Sequence, residues 1–351
     1  MGLPQIDITF STLAVSAVQR SQRGVVALIL RDDTGATTTY EYSVATDVDS
    51  DDWTATNAAY IDQAFLGSPS KVIVVRGGTT DADYADELSI LATKQFNWLA
   101  IPEISAGDTA DIVSWVEGQR DTGHMVKAVL PATVADSEAV VNFSTDDIVV
   151  GETTYATDEY TPRIAGIFAG LGLDRSGTYV ELPEVEDITE SADSDVDIDA
   201  GKLIFVKQDG KIKIGRAVTS LTTTTAEKSD IFKKIKIVEG TDLIKTDIQK
   251  TFNDEYVGKV NNSYDNQVLF ITAIMSYLRG LEGTVLDPAY DNTVSINVEK
   301  QRDAWEGIGT DTTDWSDQDV KESAFQSYVY LDGSLKLLDA MEDLSMEIAL
   351  A

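Results

Sequence analysis

Four short apolar runs, separated by segments of helical periodicity, constrain this chain more than any other feature. Val25–Leu30, Val72–Val75, Trp98–Ile101 and Val126–Leu130 are nearly continuous in apolar residues, the pattern of strands buried on both faces. Between them, Trp53–Leu66 places Ala58, Ile61 and Phe65 at helical spacing. After Gly77-Gly78, Tyr84, Leu88 and Leu91 share one helix face, and Ile112, Val113 and Val116 mark a third helix. Strands alternating with helices imply a largely parallel sheet joined by right-handed crossovers. Ile148-Val149-Val150 and Tyr155 suggest a small antiparallel addition. Thr161-Pro162 opens another helix, a capping hydroxyl followed by proline at the first helical position. Ile164, Ile167, Phe168 and Leu171 follow at i, i+3, i+4 and i+7.

The second half reads differently. Residues 184–201 are acidic and poor in large apolar side chains, which places a domain boundary there. In KLIFVKQDGKIKIGR (202–216) two alternating runs flank Asp209-Gly210, a hairpin signal that sets Ile204 and Val206 opposite Ile212 and Ile214. A helix is expected over Asp242–Lys259. Another is expected over Asn266–Leu281, where Val268, Leu269, Phe270, Ile271, Ala273, Ile274 and Met275 nearly encircle the axis, as in a helix at the centre of a core. Val298–Ile308 reads as a third helix and 309–319 as an acidic loop.

Both ends of the chain read as lone strands. The C-terminal stretch SYVYLDGSLKLLDAMEDLSMEIALA alternates Tyr328 and Tyr330, then Leu335 and Leu337, about Asp332-Gly333, a second hairpin signal. Beyond it, Leu344, Met346, Ile348 and Leu350 alternate with Ser345, Glu347 and Ala349. At the other end Ile6, Ile8 and Phe10 alternate with Asp7 and Thr9. An unpaired strand edge is a hazard unless something pairs with it. Either such a strand closes its own sheet or it reaches into another molecule. Two of them favour exchange between subunits, with these seven apolar residues as intersubunit contacts.

The reading is therefore mixed α/β and α+β, in two domains with extended strand arms. Residues 1–24 form an N-terminal arm, 25–195 an α/β domain with a largely parallel sheet, 196–338 a C-terminal α+β domain, and 339–351 a C-terminal arm. A length of 351 residues is consistent with more than one domain.

Charge narrows the partners. A formal net charge of −33 argues against nucleic acid, whose phosphates would be repelled. The acidity is uneven: residues 202–250 hold eleven Lys/Arg against six Asp/Glu, about +5, leaving about −38 elsewhere. Lys233, Lys234 and Lys236, with Arg20 and Arg23 near the first arm, form a candidate electrostatic contact surface for an acidic partner, another copy included. The bland alternative is a solvated strand or loop edge. Met1–Phe10 lacks the basic and apolar regions of a signal peptide, and no apolar run approaches the ~20 residues that span a bilayer. Synthesis in a cytoplasm without membrane insertion is the expectation.

Chemistry is sparse. There is no cysteine and one histidine, His124, which excludes thiolate chemistry and the common zinc ligand sets. Gly77-Gly78 lacks the G-x-G-x-x-G spacing, and no Walker A motif occurs. Gly166, Gly170 and Gly172 follow a helix rather than a strand and read as close packing and a helix end. Asp193, Asp195, Asp197 and Asp199 alternate as in a calcium loop, but Ala200 and Val206 occupy the required glycine and glutamate positions. No catalytic residue, cofactor or metal site is assigned, and the chain is not read as an enzyme.

Five runs, in order, resemble the contractile tail sheath proteins of bacteriophages and phage-derived bacteriocins, most of all the compact forms from Gram-positive hosts. They are PQIDITFSTLAVSAVQRSQRGVVALILRD (4–32), TPRIAGIFAGLGLDRSGTYVELPEV (161–185), GKIKIGRAVTSLTT (210–223), FKKIKIVEGTDLIKTDIQKTFNDEYVGKVNNSYDNQ (232–267) and LLDAMEDLSMEIAL (337–350). Residues 35–145 carry it least, and Ala217-Val218-Thr219 departs from the family's asparagine-containing form. The resemblance implies a structural subunit that polymerises helically around an inner tail tube, with baseplate and tail terminator proteins as further partners. It implies arms that add strands to neighbours' sheets while contraction drives the tube through a target envelope. It also implies assembly in a phage or bacteriocin tail that is released on host lysis. A different self-assembling structural protein, such as a surface-layer protein, is the alternative.

Overall fold

Alternate side chains of the first strand enter two different cores. The computed structural model describes residues 24–35, 38–49, 51–226 and 228–350, so the contacts expected of Ile6, Ile8, Phe10, Arg20 and Arg23 lie outside the described residues. The large unit carries strands β1 (Val25–Arg31), β2 (Thr39–Tyr42), β3 (Lys71–Gly77), β4 (Trp98–Ala100), β5 (Lys127–Pro131), β6 (Val140–Phe143), β7 (Asp146–Val150), β8 (Thr153–Tyr155), β9 (Asp187–Thr189), β10 (Lys202–Leu203), β11 (Phe205–Gln208) and β12 (Lys211–Ile214). Its helices are α1 (Ala55–Phe65), α2 (Ala85–Leu91), α3 (Thr109–Asp121), α4 (Thr161–Gly170) and α5 (Ser194–Asp199). A seven-stranded sheet runs in the order β10-β6-β5-β4-β1-β3-β2, parallel throughout except for edge strand β2.

Period-2 geometry sends Val26, Leu28 and Leu30 into one core with Tyr60, Ile61 and Ala64 of α1 and Ile164, Ala165 and Phe168 of α4. Ala27 and Ile29 enter the other, with Leu88 and Leu91 of α2 and Ile112 and Val116 of α3. That double burial is why the strand sequences lack polar alternation. The glycines of α4 read correctly as packing residues: a Cβ on Gly166 would overlap the Ala64 carbonyl of α1, and one on Gly170 would overlap that of Gly67.

β7, β8 and β9 form the small antiparallel sheet. The hairpin at Asp209-Gly210 forms as expected, both turn residues at positive φ (54° and 73°), as a two-residue type I′ connection requires. Its buried face differs by one residue. Phe205 opposes Ile214 and enters the core, whereas Val206 opposes Lys213 and stays half-buried.

The border expected at 195/196 lies instead at Asp242. The large unit runs to Asp242 and resumes at Asp339, and the small unit is Leu243–Leu338. Lys202 and Leu203 pair with Asn142 and Phe143 at the edge of the large sheet, so the acidic 184–201 segment is internal to the large unit. Its carboxylates serve locally. Asp193 caps α5 through Val196 N, and Asp197 accepts from Lys202 at 2.7 Å.

Helix α6 (Ile235–Thr251) begins seven residues earlier than the Asp242 expected. A π-helical turn, Phe252–Tyr256, follows it. The small unit then carries α7 (Tyr264–Leu281), β13 (Thr293–Ile296), α8 (Val298–Gly307), α9 (Asp317–Glu322) and β14 (Leu331–Ser334). Helix α7 is one-sided rather than encircled: Phe270, Ile274, Tyr277, Leu278 and Leu281 are buried, while Val268 and Leu269 are exposed. The acidic 309–319 stretch is non-helical up to Ser316, where a Ser316/Asp319 capping box opens α9. Asp332-Gly333 is not a turn. It sits inside β14, opposite Ser295 and Val294 of β13, with neither residue at positive φ.

Candidate functional site

The topological switch of a doubly wound sheet is where such folds bind ligands, but here its polar groups are satisfied from within. Asp32 at the end of β1 accepts from Asn57 Nδ2 (2.7 Å), Thr54 N (2.9 Å) and Thr34 N (2.7 Å). Burial alone would raise its pKa; these donors hold it well below the ordinary carboxylate range. After Gly77, the Gly78 amide that could have met a phosphate donates to Asp81 at 2.6 Å, so a carboxylate already occupies that position. His124 lies exposed beside the Gln119 amide, 3.0 Å away. Among the described residues no cluster of three or more His, Cys, Asp or Glu could hold a metal ion.

The polar site of interest is the root of the C-terminal arm. Residues 339–343 lie on the large unit. The Glu342 side chain is 6% exposed. Its Oε1 accepts from the hydroxyls of Ser176 and Thr178, each at 2.7 Å. Thr178 Oγ1 in turn accepts from Ala217 N at 3.0 Å, which leaves its proton for Glu342. Oε2 has no hydrogen bond but faces Lys234 Nζ at 3.6 Å and Arg216 at 4.0 Å. Arg216 also binds Asp343 at 2.6 Å, and Lys234 binds Asp339. The pair with Asp343 outweighs partial burial and raises the Arg216 pKa.

Beyond this root, Leu344, Met346, Ile348 and Leu350 form no strand among the described residues, and they are 87%, 70%, 68% and 95% exposed. A strand needs a ladder partner, and the described chain supplies none here. The sequence-derived contact residues and the anchor are thus neighbours in the arm, but only the anchor is bound within the subunit.

Many lysines of the basic band, where the sequence places a candidate contact surface for an acidic partner, pair within the subunit. Lys202, Lys207, Lys211, Lys228 and Lys250 pair with Asp197, Asp187, Glu181, Glu138 and Asp254. Lys233 pairs with Asp230, and Lys234 with the arm. Lys236 is half-buried beside Phe168 and Ile235, where desolvation lowers its pKa. Lys233 ends a 3-10 turn, Lys234 is its C-cap and Lys236 lies in the first turn of α6, so the alternative of a strand edge does not hold.

Ser176, Thr178 and Arg216 escaped the sequence reading as site residues because nothing in their local pattern marks them. Their one signal is location: they lie in SGTYVELPEV and GKIKIGRAVTS, while Lys234 and Glu342 lie in FKKIKIV and LLDAMEDL. Four of the five runs that carry the family resemblance meet in space at the arm root.

Family models match most of the chain. Residues 77–220 match the phage tail sheath protein central domain and 227–351 the phage tail sheath C-terminal domain. The tail sheath protein of Clostridium phage phiCD119 is 38% identical over 359 aligned residues, covering 99% of each chain. The chain belongs to the phage tail sheath family. Two solved structures share the sheath fold. The crystal structure of a sheath tail protein from Listeria innocua matches with TM-score 0.71 at 17% identity, covering 94% of this chain and 99% of that one. The contracted helical sheath of the anti-feeding prophage, solved by electron cryomicroscopy, matches with TM-score 0.69 at 14% identity, covering 99% and 98%.

Proposed function

We propose that this sheath subunit polymerises helically around an inner tail tube and contracts to drive that tube through a target envelope. Its terminal arms add strands to the sheets of neighbouring copies. Baseplate and terminator proteins bound the assembly, which forms in a bacterial cytoplasm and leaves by host lysis. The observation that carries the arm exchange is the exposure of four alternating apolar side chains in 344–350. A receiving surface is available in the small unit. β13 and β14 form a two-stranded sheet, and neither pairs with a second strand among the described residues. Such a ribbon is marginal alone and gains stability from added strands. Burying Leu344, Met346, Ile348 and Leu350 would contribute on the order of 6–12 kcal/mol before ordering costs. Head-to-tail contacts whose rotation does not close propagate a helix.

Deleting Leu344–Ala351 tests the reading. The subunit should keep its melting temperature, because residues 344–350 are exposed in the isolated chain, yet form no tubes by electron microscopy. Normal tubes from the truncated subunit would refute arm exchange.

A further inference from the structure

We propose that Glu342 is a latch that fixes where the C-terminal arm leaves its own subunit and so sets how far the exchanged segment can reach. The inference rests on the arm-exchange reading for what the segment reaches, but the latch itself stands on geometry within one chain. The arm root is held by its acidic side chains while its apolar ones stay out. Met341 and Leu344, on either side of the anchor, are 104% and 87% exposed, whereas the Glu342 side chain is 6% exposed. A segment packed for stability alone would do the reverse. The receiving groups are oriented before the arm arrives, since Thr178 accepts from Ala217 N and Ser176 Oγ accepts from Thr178 N at 3.1 Å. Lys234 with Asp339 and Arg216 with Asp343 then bracket the carboxylate on both sides.

The consequence is a length rule. With the latch closed, residues 344–350 span at most about 25 Å when fully extended. With it open, the free segment starts at Asp339 and spans about 43 Å. A closed latch therefore limits which neighbouring copies are within reach, and an open one supplies slack when subunits move apart.

The chain contains no cysteine, so a single spin label is straightforward. In the full chain carrying Met341→Cys, the label should be restricted, and a label at Ser345→Cys should be mobile. Adding Glu342→Gln should lower the ratio of latched to free arm about ten- to a hundredfold, the effect of losing charge-assisted hydrogen bonds. The label at position 341 should then move like the one at 345. Arg216→Gln with Lys234→Gln should free it as well, which separates loss of the latch from a local effect of residue 342. Tubes grown from Glu342→Gln subunits should be irregular in length and diameter. Equal label mobility with and without Glu342→Gln would overturn the latch. A freed label with unchanged tubes would overturn its role in setting reach. If the Leu344–Ala351 deletion still forms tubes, arm exchange fails, and the label experiment continues to judge the latch by itself.

Discussion

Replacing Lys127 by methionine should cost the large unit about 3–5 kcal/mol, the expected penalty for removing one partner from a buried ion network. Lys127 lies on β5 with its side chain 2% exposed, 2.9 Å from Asp242 and 3.0 Å from Glu239. Arg120 of α3 donates to both Asp242 oxygens at 2.7 Å. Two cations thus balance two carboxylates. Burial disfavours every charge in the group, yet the opposite charges hold Asp242 below its ordinary pKa and Lys127 above its own. For Glu239 burial prevails, and its pKa is raised. Lys127→Met leaves one uncompensated negative charge, which Glu239 can relieve by taking a proton. An acid with a raised folded pKa favours folding below that pKa and loses the contribution as pH rises through it. The variant's deficit against the parent should therefore be smaller at pH 5 than at pH 8. Lys127→Met with Glu239→Gln restores neutrality around the intact Arg120–Asp242 pair and should recover most of the loss. Urea unfolding of the isolated subunit, followed by tryptophan fluorescence, measures both. Trp98 provides a nearby probe, its ring centroid 5.1 Å from Lys127 Nζ. A loss below about 1 kcal/mol at pH 7 would refute the reasoning. So would a double variant no more stable than the single one.

Three further variants of the large unit have defined outcomes. Asp32→Asn should lose about 1–3 kcal/mol at pH 7. Because the folded pKa of Asp32 is depressed, its contribution is present above the ordinary value of 3.8 and is lost as pH falls through the folded value. The gap between parent and variant should therefore be narrower at pH 3 than at pH 7 in paired urea titrations. Gly166→Val should cost about 3 kcal/mol by forcing α4 off the α1 backbone. Gly118→Ala, at an open position of α3, should instead raise the melting temperature slightly.

Element existence was legible where the physics was local. The buried strands β1, β3, β4 and β5, the helix opened by Thr161-Pro162 and the Asp209-Gly210 turn all follow from apolar periodicity or from what a given φ permits. The same Asp-Gly pair at 332–333 shows the limit of that reading. Its side chains suit a turn, but pairing with β13, including a 2.8 Å bond from Ser295 Oγ to Asp332, holds the backbone extended. The encircled appearance of α7 failed for a similar reason: Val268 and Leu269 are apolar, but no described part of the small unit covers them.

By itself, the sequence determined that an acidic, cysteine-free chain would build a doubly covered parallel sheet and end in a tail of alternating apolar residues. These are consequences of composition and period. Only the tertiary structure decided where the large unit closes, which lysines are already paired, and what holds the arm. Ser176, Thr178, Arg216, Lys234 and Glu342 are dispersed in four runs of sequence, and hydrogen bonds and ion pairs carry no periodicity that a sequence could display. They become a site only when the chain brings hydroxyls and cations to one carboxylate.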